Sequence, residues 1–180
     1  MTRQARAAAL EHFTTHTADH VNELKNLVRI PSVSFPGFDS EPVRQCAEAV
    51  AALLRKSGLT DVRMLETGAG HPSVFGQWTK APGKPTILLY AHYDVQPTGR
   101  DELWTTPPFE PAERGGRLYG RGVSDDKAGV VMHAAATRSY LASAGTLPIN
   151  VKILIEGEEE VGSTNLGRML EQNIEPPRGQ

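Results

Sequence analysis

The sequence predicts an α/β layered sandwich, and three observations carry that expectation. Short apolar runs of strand length alternate with longer stretches of helical periodicity. In one run, Thr86-Ile-Leu-Leu-Tyr-Ala-His-Tyr-Asp94, the residues from Ile87 to Ala91 are apolar or nearly so, between Pro85 and Pro97. This reads as a strand buried on both faces. In a second, Ile149, Val151, Ile153 and Ile155 alternate with Leu154 between them, and the chain then enters Glu156-Gly-Glu-Glu-Glu160. With 180 residues the chain is long enough for one domain with a real core and too short for two comfortable ones.

The remaining elements follow in order. Leu10, Phe13, Val21, Leu24, Leu27 and Val28 recur at helical spacing, so an amphipathic helix is expected from about Ala5 to Arg29, ended by Pro31. His12, His16 and His20 lie on its flank and read as solvated, because no carboxylate or thiol completes a ligand set beside them. Ile30 to Gly37 is a loop. Asp39 or Ser40 caps a second helix, whose buried stripe is Val43, Cys46, Ala47, Val50, Leu53 and Leu54, and Gly58 stops it. Asp61 to Glu66 and Ser73 to Trp78 are strands around a glycine-rich turn. Val95 to Arg114 lacks periodicity, and its Trp104 and Phe109 favour an ordered loop. A short strand over Arg117 to Arg121 leads to a helix from Asp126 to Ser143. A last helix starts at Ser163 or Thr164, holds Leu166, Met169, Leu170 and Ile174, and gives way to a non-helical tail from Glu175 to Gln180.

Composition removes several classes of function. There are 19 basic and 21 acidic residues, and no basic cluster suggests a nucleic-acid surface. No apolar run approaches the length of a membrane span. The lone Cys46 makes neither a disulfide framework nor a thiolate zinc site and reads as a buried structural thiol. A cytoplasmic protein is the default expectation. Met1 to Leu10 carries Arg3 and Arg6 without an apolar signal core, and reads as a frayed helix start.

Chemistry gathers at three places, each just past a strand or at a helix start: His92 with Asp94, Asp125 with Asp126, and Glu158 to Glu160. Residues two apart on a strand point the same way, and ligands in open α/β sheets sit beyond the carboxyl ends of strands. Taken singly, each has an ordinary reading: a strand end meeting water, a helix cap, an exposed acidic turn. If the strands are neighbours, the groups converge. Carboxylates with one histidine and no thiol then suit zinc, manganese or cobalt. The stretch Gly120-Arg-Gly-Val-Ser-Asp125 also suggests a phosphate turn, but a third glycine and a Walker lysine are missing and an aspartate at the helix start repels phosphate.

The segments Leu89-Tyr-Ala-His-Tyr-Asp94, Gly120-Arg-Gly-Val-Ser-Asp-Asp-Lys127 and Glu159-Glu-Val-Gly162, with Trp104-Thr-Thr-Pro-Pro-Phe109 between, together resemble the M20 metallopeptidases. Within them they are most similar to the dipeptidase branch that includes carnosine and cytosolic non-specific dipeptidases. Ala128 departs from the glycine usual after the lysine. The resemblance implies a three-layer αβα sandwich with a mixed, largely parallel sheet, incomplete at its C-terminal side. It implies that His92, Asp125 and Glu160 ligate two Zn2+ ions (Mn2+ or Co2+ being possible). Asp125 would bridge both and be joined to Asp126 by a cis peptide. It makes Glu159 the general base and Asp94 the carboxylate that orients His92.

The resemblance also implies that residues 1–180 are the N-terminal portion of a catalytic domain. The remaining ligand of each metal, and a lid domain that supplies dimer contacts, would lie beyond Gln180. His71 and His133 read as structural or solvated rather than as replacements. The expected function is hydrolysis of dipeptides or short peptides, with the isolated chain inactive. Deacylation of N-acyl amino acids on the same site, or a catalytically dead binding module, are the alternatives.

Overall fold

The structure, a computed structural model, describes residues 3–66 and 68–173. Ile174 and the tail from Glu175 to Gln180 lie outside these residues. The chain runs α1 (Arg3–Thr15), α2 (Thr17–Val28), α3 (Glu41–Lys56), β1 (Thr60–Leu65), β2 (Ser73–Trp78) and β3 (Thr86–His92). It continues through β4 (Ala112–Arg114), β5 (Arg117–Tyr119), α4 (Lys127–Ala144), β6 (Asn150–Glu156) and α5 (Leu166–Asn173). The main sheet has the order β1-β2-β6-β3. It is mixed, as expected, but parallel pairing is confined to β3 with β6; β1 with β2 and β2 with β6 are antiparallel. That one parallel pair carries the chemistry, because it brings His92 level with Glu156 at the carboxyl ends of both strands.

Two cores make the layers. On one face α3 places Val43, Cys46, Ala47, Val50 and Leu54 at helical spacing against Val74, Ala91, Tyr93, Ile153 and Ile155, with Val130 and Ala134 of α4 beside them. On the other, α5 presents Met169 to Leu65, Phe75 and Leu154. Alternation along β6 sends Ile153 and Ile155 to the first core and Leu154 to the second, so this strand is the buried one. Gly157, just past it, is required by space: a Cβ there would collide with the hydroxyl of the fully buried Tyr93.

Four expectations are corrected. β3 is not buried on both faces. Among the described strands it pairs with β6 alone, and Ile87, Leu88 and Tyr90 are 38, 50 and 43% exposed. An apolar run marks a strand without fixing its place in the sheet. The first helix is broken into α1 and α2 at His16 (φ −102°, ψ 19°). There the hydroxyls of Thr14, Thr15 and Thr17 and His16 Nδ1 all bond to carbonyls of the preceding turn, competing with the helix ladder. His12, His16 and His20 do not form a solvated flank. His20 is buried, and its Nδ1 accepts from Arg138 Nη2 of α4 at 2.8 Å, while His12 Nδ1 meets Ser139 Oγ at 3.2 Å. Finally, the loop from Val95 to Arg114 contains β4, which pairs with β5 across Gly115 and Gly116, both at positive φ. Elsewhere that loop is ordered as expected, with Trp104 Nε1 donating to Thr98 O and Arg121 stacked over the indole.

The cap of α3 is shared: Ser40 holds the N-cap position, but Asp39 Oδ1 accepts the Glu41 amide. Glu23 of α2 accepts two hydrogen bonds from Arg138 of α4 and one from Lys56 of α3, tying three helices together. Burial pushes the Glu23 carboxyl up, but these donors outweigh it and hold it down at about 2. The linkage sign follows. The stabilisation is fully present above the unfolded value of 4.5 and is lost as the pH falls through about 2. Glu23→Gln should therefore cost about 2 kcal/mol at pH 7, with the difference from wild type vanishing near pH 2, read from urea melts across that range. The open edge of β3 generates a second expectation: the chain should self-associate as its concentration rises, and Leu88→Lys should suppress this, as measured by light scattering after gel filtration.

Candidate metal centre

The site forms where the ends of β3 and β6 meet the turn before α4. His92 is the last residue of β3, and Asp94 lies two residues on, just before the bridge residue Val95. Glu159 and Glu160 occupy a single 3-10 turn after β6. Asp125 and Asp126 precede α4 and are joined by a cis peptide bond. Asp126 rather than Asp125 caps that helix. Its Oδ1 accepts the Gly129 amide and its Oδ2 accepts the amide of His92, which fixes α4 to the end of β3. A carboxylate thus already occupies the helix start that a phosphate would need.

The three segments meet at one point. His92, Asp125 and Glu160 each offer a ligand atom, and these atoms lie within 4.8 Å of one another. His92 Nε2 lies 2.9 Å from Asp125 Oδ1 and 3.6 Å from Glu159 Oε2. Its Nδ1 faces Asp94, 3.2 Å from the carbonyl and 3.4 Å from Oδ1. Burial opposes charge on this imidazole, but Asp94, Glu159 and Asp125 outweigh it and raise its pKa to about 9. The donor chemistry fits a divalent cation. One imidazole and a group of carboxylates converge without a thiol, and like charges gathered at one point favour a bound cation.

Asp94 is wholly buried, and its carboxylate holds the turn that carries the glutamates. Oδ1 accepts the Glu159 amide at 3.2 Å, and Oδ2 accepts the Glu160 amide at 3.0 Å and the Ser34 hydroxyl at 2.7 Å. The acidic run after β6 is sorted by burial. Glu156 and Glu158 point inward, Glu156 accepting from Tyr90 Oη and Glu158 from the His71 amide and Asn165 Nδ2. Burial raises the pKa of Glu156. Glu159 and Glu160 are left facing the site. His71 and His133 stand apart from it, their Nε2 atoms bonded to Ser34 O and Tyr90 O.

Sequence reasoning missed several supporting residues. Gln96 Nε2 donates to Glu160 Oε2 at 2.6 Å, and only its closeness to the strand end could have marked it. Lys127 is fully buried, its ammonium donating to Leu27 O and Ile30 O at the end of α2. Ser34 lay in a segment read only as a loop.

The sequence profile of Peptidase family M20/M25/M40 matches residues 88–179, just over half of the chain. The chain is 39% identical over 132 residues to a cysteinylglycine-S-conjugate dipeptidase of Corynebacterium striatum, covering 73% of this chain and 29% of that protein. It is 33% identical over 173 residues to the human Beta-Ala-His dipeptidase, covering 90% and 34%. The solved structure of the dipeptidase Dug1p from Saccharomyces cerevisiae superposes with a TM-score of 0.83 at 26% identity, over 92% of this chain and 37% of that one. The chain thus spans about a third of the length of the curated relatives it matches. The profile covers the two strands and the two turns that build the centre, and on it the chain belongs to peptidase family M20/M25/M40.

Proposed function

We propose that this chain is the N-terminal part of the catalytic domain of a metal-dependent dipeptidase, acting on dipeptides or other short peptides. The reading is carried by the convergence of His92, Asp125 and Glu160 within 4.8 Å, with the Glu159 carboxylate 3.6 Å from His92 Nε2. The printed names of the relatives, dipeptidases of cysteinylglycine conjugates and of Beta-Ala-His, support the substrate class. In this reading His92, Asp125 and Glu160 would hold the divalent metal, zinc being the expected ion. Bound divalent metal supplies Lewis-acid polarisation of a carbonyl and acidifies water.

The chain's own groups do the rest. Asp94 faces Nδ1 of His92 and so keeps Nε2 turned toward Asp125. Asp126 fixes the backbone of His92. Gln96 restrains Glu160. Glu159, whose side chain is 44% exposed and whose Oε2 lies 3.6 Å from His92 Nε2, would take a proton from the attacking water and pass it to the leaving amine. A cytoplasmic setting, and a homodimer in a longer form carrying a lid domain, belong to the same proposal. No helix among the described residues is long and apolar enough to cross a membrane.

In this scheme each ion would receive only two ligands from the described residues. The isolated chain should therefore bind zinc weakly and show no turnover. Titration calorimetry checks this, and tight uptake of two equivalents would overturn the ligand count. In a form that carries the rest of the domain, Glu159→Gln should lower kcat by about 10²–10⁴-fold while leaving metal content intact. Unchanged turnover would remove Glu159 from the chemistry, and absence of turnover in the unmutated form would favour a binding module.

A further inference from the structure

The segment Ser32–Ser34 precedes α3 by several residues and has no part in the ligand set, yet it runs alongside the end of β3. Val33 forms a parallel bridge with Val95, the Val95 amide donates to Ser32 O, and Ser32 Oγ donates to Tyr93 O at 2.7 Å. This places Ser34 beside Asp94. The Ser34 hydroxyl is buried and donates to Asp94 Oδ2 at 2.7 Å, the shortest of the hydrogen bonds this carboxylate accepts. The backbone of Ser34 is held in turn, because His71 Nε2 donates to its carbonyl at 3.1 Å from the turn before β2.

We infer that Ser34 is a positioning residue, which locks the Asp94 carboxylate in the rotamer that serves His92 on one side and the Glu159–Glu160 turn on the other. The inference rests on the metal-site reading above. The physical reason is geometric. Asp94 divides its two oxygens, with Oδ1 nearest His92 Nδ1 and the Glu159 amide, and Oδ2 taking the Glu160 amide and Ser34. The two amides belong to the turn that Asp94 is meant to hold, so they cannot by themselves fix it. Ser34 is the donor that comes from outside the site, on a segment anchored to β3 and to His71. Partners that orient a ligating histidine govern metal affinity even where they never touch the metal.

Ser32 supplies the control. It is as deeply buried and donates an equally short hydrogen bond, but to the Tyr93 carbonyl rather than to Asp94. In the metal-free chain, Ser34→Ala should speed hydrogen exchange at the Glu159 and Glu160 amides by about fivefold, whereas Ser32→Ala should leave those amides unchanged. Zinc affinity, measured by competition with a chromophoric chelator, should fall about tenfold in Ser34→Ala and stay at the wild-type value in Ser32→Ala. Unchanged exchange at both amides in Ser34→Ala, or equal effects of the two variants, overturns the inference. Failure of the wild-type chain to bind zinc better than His92→Ala would instead defeat the metal-site reading, and the metal-free exchange would still decide whether Ser34 holds Asp94.

Discussion

The site depends on one buried carboxylate. Asp94 is sealed from water, and an ionised carboxyl in that position is costly unless donors surround it. The donors here are the Ser34 hydroxyl and the Glu159 and Glu160 amides, with the His92 imidazole alongside. They come from three segments distant in sequence, so satisfying one charge forces those segments together. Lys127 is buried as completely. Burial pulls its pKa down, and the neighbouring Cys46, then Asp94, oppose that. The ammonium rests on Leu27 O in the last turn of α2, where the helix dipole favours a cation, and on Ile30 O just past its end.

The parallel pairing of β3 and β6 gives this local demand a single opening. Parallel strands end on the same side, so the imidazole at the end of one and the glutamates after the other share a single opening. Asp125 reaches that opening from a turn whose geometry is fixed by Asp126, which caps α4 and holds the His92 amide at once. Carboxylates gathered in this way repel one another. Burial opposes charge on His92, but Asp94, Glu159 and Asp125 outweigh it and raise its pKa.

Much of this was legible in the residues. The stripe of α3, the alternation of β6 and the boundaries of β2 follow from periodicity alone, because a helix or strand that buries one face must repeat at 3.6 or 2. The three segments that converge could be singled out because each combines an unusual composition with a place just past a predicted strand or at a helix start. What failed had physical causes. Thr14, Thr15, His16 and Thr17 break a helix through side-chain bonds that do not disturb the apolar period, so α1 and α2 read as one. The Gly115-Gly116 turn was a readable hairpin signal, but strands of three residues are too short to show alternation.

The sequence by itself determined the kinds of group available, their order, and the local elements that present them, since these depend on residues close along the chain. Only the tertiary structure decided that β3 lies at an edge while β6 is central. It alone decided that His20 belongs to an interhelical network with Arg138 and Glu23. It also divided four neighbouring acids into Glu156 and Glu158, turned inward, and Glu159 and Glu160, turned toward the opening. That division is set by partners 60 or more residues away, among them Tyr90, His71 and Asp94. No local pattern encodes it, because burial and hydrogen bonding are properties of what the fold places opposite a side chain.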